Sequence, residues 1–75
     1  MDITEYIKLC LVKRKLSSRQ LALKMDPDSP TAAQNLNNKL KRNNFKIQEI
    51  EEIAELLDCE LEVRFIDKEL GKPLI

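Results

Sequence analysis

The side chains of this 75-residue chain best suited to chemistry are amides and cations, gathered in one stretch. Thr31, Gln34, Asn35 and Asn38 sit within eight positions of one another. A carboxamide can donate to N7 of adenine while accepting from its N6 amino group, so Asn and Gln suit the edge of a base pair. Lys39, Lys41, Arg42, Asn44 and Lys46 follow directly and suit a phosphate backbone. Upstream, Ser17, Ser18 and Arg19 stand where a helix begins, and the free N–H groups of a helix start also attract phosphate. The competing reading is a solvated helix face with no partner. Against it stands the poor helix propensity of Asn, since a helix with Asn35, Asn37 and Asn38 on its outer faces is not optimised for its own stability.

Other chemistry lacks its residues. The chain has no His, so neither a Ser-His or Cys-His nucleophile pair nor a His-metal cluster can form. Its single glycine, Gly71, cannot build a Gly-rich phosphate loop. Cys10 and Cys59 make no disulfide framework and are expected as buried or half-buried thiols of a cytoplasmic protein. No catalysis, metal or cofactor is expected. No apolar run approaches the ~20 residues of a membrane span, so no membrane role is expected either, and charge beginning at Asp2 argues against a signal peptide.

The net charge of zero conceals a polarity. Residues 1–46 carry ten basic and four acidic side chains, a balance of +6, whereas residues 47–75 carry three and nine, a balance of −6. Such a split predicts one face for a polyanion and one that avoids it. The cluster Lys13-Arg14-Lys15 is the exception, reading better as the basic end of a helix than as a contact.

Four helices must position these groups. Asp2 with Glu5 forms a start signal, and Ile3, Ile7, Cys10 and Leu11 then recur at helical spacing, predicting a helix over 3–14. Ser17 with Gln20 opens a second, short helix whose apolar side is Leu21, Ala22 and Met25, with Leu16 ahead of the cap, and Asp26-Pro27 ends it. Ser29-Pro30 predicts the start of a third helix, with Ala33, Leu36 and Leu40 inward. Asn43-Asn44 breaks it and Phe45 anchors the loop. The fourth turns Ile47, Ile50, Ile53, Ala54 and Leu57 inward and Gln48, Glu49, Glu51, Glu52 and Glu55 outward, ending at Asp58-Cys59. Beyond it the period changes to two: Leu61, Val63 and Phe65 alternate with Glu62 and Arg64, a strand pattern. Asp67 to Gly71 reads as a turn, and Lys72 to Ile75 as a short return that Pro73 would confine to an edge.

Two helices joined by a turn, the second polar and basic, form the helix-turn-helix pattern. The stretches Leu16-Ser17-Ser18-Arg19-Gln20-Leu21-Ala22, Gln34 to Arg42, Phe45 and Glu49 to Leu57 resemble the Xre family, the λ-repressor/Cro-like regulators of phages, mobile elements and bacteria. The resemblance covers about residues 1–60. It implies a four-helix DNA-binding domain over 1–60, with Ser18 at a phosphate-contacting position and Gln34, Asn35 and Asn38 facing the bases. In two respects the chain departs from the family: a turn about four residues longer at 26–29, and a strand pattern at 61–66 where the family often has a fifth helix.

The expected architecture is therefore mainly α, a helix-turn-helix domain followed at 61–75 by a β-strand or β-hairpin. Leu61, Val63, Phe65 and Ile66 on that ribbon suggest pairing with a second copy, and the alternative is a hairpin folded back on the first and fourth helices. The expected function is sequence-specific binding of double-stranded DNA by a transcriptional regulator, a repressor of phage or mobile-element type. The alternative is a protein-interaction module on the same fold, such as an antitoxin or an inhibitor of a host nuclease, working through the acidic half.

Overall fold

A computed structural model describes residues 2–75. Among them the architecture is mainly α, with helices α1 (Ile3–Lys13), α2 (Ser18–Met25), α3 (Ala32–Arg42) and α4 (Ile47–Leu56) and an extended C-terminal arm.

The helix starts follow side-chain chemistry. The Asp2 carboxylate accepts from the N–H groups of Thr4 (3.0 Å) and Glu5 (3.3 Å), satisfying two donors that the first turn leaves open. Ser17 and Gln20 form a reciprocal box: Ser17 Oγ accepts from the Gln20 N–H at 3.1 Å, and Gln20 Oε1 accepts from the Ser17 N–H at 2.8 Å. The start expected at Ser29-Pro30 is displaced. Ser29 Oγ accepts from the Thr31 N–H (3.2 Å) and its carbonyl from Ala32 (3.4 Å), so the serine closes a separate turn and α3 begins at Ala32. At α4 the Lys46 N–H donates to Glu49 Oε1 at 2.9 Å.

Three helix ends share one device. Lys15, Asn43 and Asp58 adopt left-handed backbone, with φ of 57°, 52° and 58°. In each case the next residue's N–H reaches back five positions: Leu16 to the Leu11 carbonyl (3.0 Å), Asn44 to Lys39 (3.4 Å) and Cys59 to Ala54 (2.8 Å). These are the bonds of a Schellman termination, made here without glycine.

The core consists of Ile7, Leu11, Leu21, Ala22, Ala32, Leu36, Leu40, Ile53 and Leu57. Helix α2 packs against both α3 and α4, and Leu21 between them is fully buried. Ile3, Cys10, Leu16, Met25, Ala33, Phe45 and Leu56 line this core half-buried, as expected for Leu16, Cys10 and Phe45. Two expectations shift. Ala32 takes the buried place assigned to Ala33, and Ile47, assigned inward, is 52% exposed because it stands in the first turn of α4, ahead of the buried Ile53. Among the described residues the buried polar one is Thr4. Its hydroxyl donates to the Leu40 carbonyl at 2.7 Å and its N–H to Asn43 Oδ1 at 3.0 Å, tying the start of α1 to the end of α3.

The arm leaves the helices at Asp58 and Cys59, where Arg14 Nη2 donates to the Asp58 carbonyl and to Cys59 Sγ, both at 3.3 Å. The bond to Cys59 is the main cause that raises the guanidinium's pKa above its usual value. The expected strand over 61–66 is not formed. Among the described residues the arm holds one antiparallel bridge, Ile66 against Pro73, flanked by bonds from the Leu74 N–H to the Phe65 carbonyl and from the Asp67 N–H to the Lys72 carbonyl, each 2.8 Å. Gly71 turns the chain at φ 66°. The fold-back alternative fails as well: Val63 and Phe65 are 62% and 79% exposed. A compact chain of this length has a radius of gyration of about 11 Å. The value here is 14.2 Å, with extents of 48 × 24 × 20 Å, because the arm projects.

Lys15 carries the steric cost of a left-handed backbone that Gly avoids. Lys15→Gly should therefore stabilise the domain by roughly 0.5–1 kcal/mol, raising the melting temperature by about 2–8 °C in a thermal scan. A lowered melting temperature would contradict the assigned helix end.

Candidate nucleic-acid interface

The polar faces of α3 are free because its apolar stripe is narrow. Ala32, Leu36 and Leu40 hold the helix to the core, while Gln34, Asn35, Asn37, Asn38, Lys41 and Arg42 are exposed. An 11-residue α-helix is about 16 Å long and can lie in a groove ~12 Å wide.

Thr31, the residue ahead of α3, makes no helix-capping bond with its side chain. Its hydroxyl lies 3.2 Å from Ser29 Oγ and accepts from Asn35 Nδ2 at 3.4 Å. That contact orients the Asn35 amide. The other Asn35 amide hydrogen and its carbonyl oxygen have no protein partner among the described residues. Gln34 and Asn38 are exposed and make no side-chain hydrogen bond among the described residues.

Beside this face lies an open concavity of about 400 Å³, lined by Asn35, Asn38, Lys39, Arg42, Asn44, Lys46 and Glu49. The structure thus gathers six residues nominated from the sequence, from α3 and the α3–α4 loop, with Glu49 from the first turn of α4. A smaller hollow of about 100 Å³ between α2 and α3 shares Asn35 and Lys39, with Ala22, Met25, Asp26, Ala32 and Leu36. Thr31, Gln34 and Lys41 lie outside the larger concavity, as do Ser17, Ser18 and Arg19 at the start of α2.

The cations are not equivalent. Lys41, Arg42 and Lys46 are exposed, whereas Lys39 is half-buried and forms an ion pair with Glu49. Glu49 is the residue that sequence reasoning missed, having been assigned to the outward acidic face of α4. The available signal was its place three residues after Lys46, the position whose carboxylate turns back to the helix start and hence towards the end of α3. The Ser17 N–H is spent on Gln20 Oε1, so the backbone donors left open at the start of α2 belong to Ser18 and Arg19.

The opposite charge lies elsewhere: Glu51, Glu52 and Glu55 are exposed on α4. Among the described residues no group of His, Cys, Asp and Glu could hold a metal ion, and no helix is long and apolar enough to cross a membrane. Both cysteines are free thiols, Cys10 half-buried and Cys59 exposed.

Comparison of the chain with family models, with curated proteins and with solved structures finds no match.

The Lys39–Glu49 pair has a measurable consequence. Glu49→Gln keeps an oxygen for the Lys46 N–H and removes the countercharge. Affinity for a polyphosphate should rise, and the slope of log K against log salt should steepen by about one unit as Lys39 is released. An unchanged slope would show that Lys39 lies outside the polyanion's reach.

Proposed function

We propose that this protein is a sequence-specific double-stranded DNA-binding regulator that works by occupying its site, without catalysis. In this reading α2 and α3 act as a helix-turn-helix pair and α3 enters the major groove, as the resemblance to λ-repressor/Cro-like proteins implies. The observation that carries it is the exposed amide face of α3 with cations at its end: Gln34, Asn35 and Asn38 uncommitted to the core, and Lys41, Arg42 and Lys46 exposed beside them.

Each group then has a role. Asn35, oriented by Thr31, and Asn38 take base edges, adenine by preference, with Gln34 and Thr31 alongside. Lys41, Arg42, Asn44 and Lys46 clamp phosphates on one side of the groove. Ser18 and Arg19 meet the backbone through the open end of α2, with the Ser17 hydroxyl nearby. Lys39 contributes less than the other cations, because Glu49 offsets it. The phosphate contacts set affinity and orientation, and the amides set sequence.

A second reading has one supporting observation, the exposed acids Glu51, Glu52 and Glu55 on α4. They suit a basic protein surface, as in an antitoxin or a nuclease inhibitor. Salt separates the two, since a DNA complex weakens steeply with salt and a packed one-to-one protein complex does not.

Two substitutions test the groove assignment. Asn35→Ala should cost roughly 1–3 kcal/mol and relax preference at one base position. Lys41→Ala should weaken all duplexes alike and flatten the salt slope by about one unit. Titration of the two variants against a preferred and a scrambled duplex reads both effects; if neither variant changes binding to any duplex, α3 does not read DNA.

A further inference from the structure

Helix α1 carries apolar side chains on two sides. Ile7 and Leu11 enter the core, whereas Tyr6, Leu9 and Val12 are 60%, 65% and 74% exposed. Single exposed apolar side chains are ordinary, but three in one line on one helix make a patch. Three positions advance an α-helix by about 300°, so these residues stand side by side in a ridge about 120° wide, centred on Leu9. No other element covers this ridge among the described residues. Arg14, which holds the root of the arm, belongs to the other side of α1, since five positions from Leu9 turn the helix by about 140°.

Charge borders the ridge symmetrically. Glu5 and Lys13 each lie four positions from Leu9, about 6 Å along the axis and about 40° to either side. Both are exposed, and neither forms an ion pair among the described residues. Asp2 shares this face, but its carboxylate is already occupied by the Thr4 and Glu5 N–H groups.

We infer that this face of α1 docks against α1 of a second copy, the two helices running antiparallel about a two-fold axis at Leu9. In that arrangement Leu9 meets Leu9 of the second copy. Tyr6 stands level with Val12 of the other helix and Glu5 with Lys13, each pair occurring twice by symmetry. Helices packed about 8–10 Å apart leave both charges within reach of each other. Parallel helices would instead set Glu5 against Glu5 and Lys13 against Lys13, so charge selects the antiparallel sense. The C-terminal arm takes no part. The inference does not depend on the DNA-binding reading and leaves its surface open, because no residue lining the larger concavity lies on α1. One pair of short helices buries less than a stable interface does, so the association is weak and reversible, with a dissociation constant of about 10–100 μM.

Sedimentation equilibrium of the full chain without DNA, from about 10 to 500 μM, tests this. The wild-type mass should rise with concentration from 8.7 kDa towards twice that value. Leu9→Asp sets two carboxylates on the axis and should abolish the rise. Glu5→Lys and Lys13→Glu each set like charges against one another and should raise the dissociation constant by roughly tenfold. An equimolar mixture of these two variants restores opposite charges at both places and should bring it back to within about threefold of wild type. Recovery on mixing cannot come from the folding of either variant, and circular dichroism should show the helices unchanged in all three. A wild type that keeps the single-chain mass at about 500 μM overturns the inference. So does self-association that persists in Leu9→Asp, which would place the contact elsewhere, or a mixture that associates no better than its components. None of these outcomes bears on the duplex titrations of the α3 variants, so the two proposals fail separately.

Discussion

The fold depends on burying Leu21 and Ala22 of α2 between α3 and α4. These are the least accessible side chains of the core, and both neighbouring helices close on them. A domain this small has little apolar surface to bury and a narrow stability margin. The nine core residues among those described must therefore be shared efficiently, and α3 contributes Ala32, Leu36 and Leu40. The narrow stripe explains why so polar a helix is stable at all: α2 supplies the counter-surface, and the remaining positions of α3 are relieved of packing. The same contact fixes the start of α2, with Ser18 and Arg19, relative to the amide face. The two ends of the candidate interface are thus held by one packing event.

Polar contacts then finish what the core begins. Thr4 reaches the Leu40 carbonyl and Asn43, fastening α1 to the end of α3, and Arg14 fastens the other end of α1 to the root of the arm. Glu49 serves twice, accepting from the Lys46 backbone and pairing with Lys39. Its carboxylate links α3 to the start of α4 at the place where cations converge, and it lowers the net positive charge there. The charge polarity along the chain is thus a coarse description, since one acid of the negative half sits inside the basic concavity.

Much of the helical architecture was legible because local chemistry decided it. Ser17 with Gln20 names a helix start in any context, Pro27 stops α2, and Leu21 and Leu36 fall on their apolar stripes. The start of α3 was misread because Ser29-Pro30 suits a turn as well as a cap, and only the bond to the Thr31 N–H distinguishes them. Ile47 was misread because a first-turn position can match the helical period and still lie outside the contact. The arm was misread for a different reason. Alternation in 61–66 marks residues able to pair, whereas a strand exists only where a partner does, and among the described residues the chain offers one only at the single bridge between Ile66 and Pro73. At the candidate interface the exposure of Gln34, Asn35 and Asn38 was legible by residue type, but the engagement of Lys39 by Glu49 was not, because it joins two helices whose relative placement the sequence does not state.

The most direct measurement of the central claim is selection of bound duplexes from a random pool, followed by alignment of the survivors. Presentation of α3 to the major groove predicts a short, enriched consensus with adenine at fixed positions, and two copies of it about one helical turn apart if the protein binds as a pair. A pool that emerges unenriched, or retained only in proportion to its phosphate content, would contradict it.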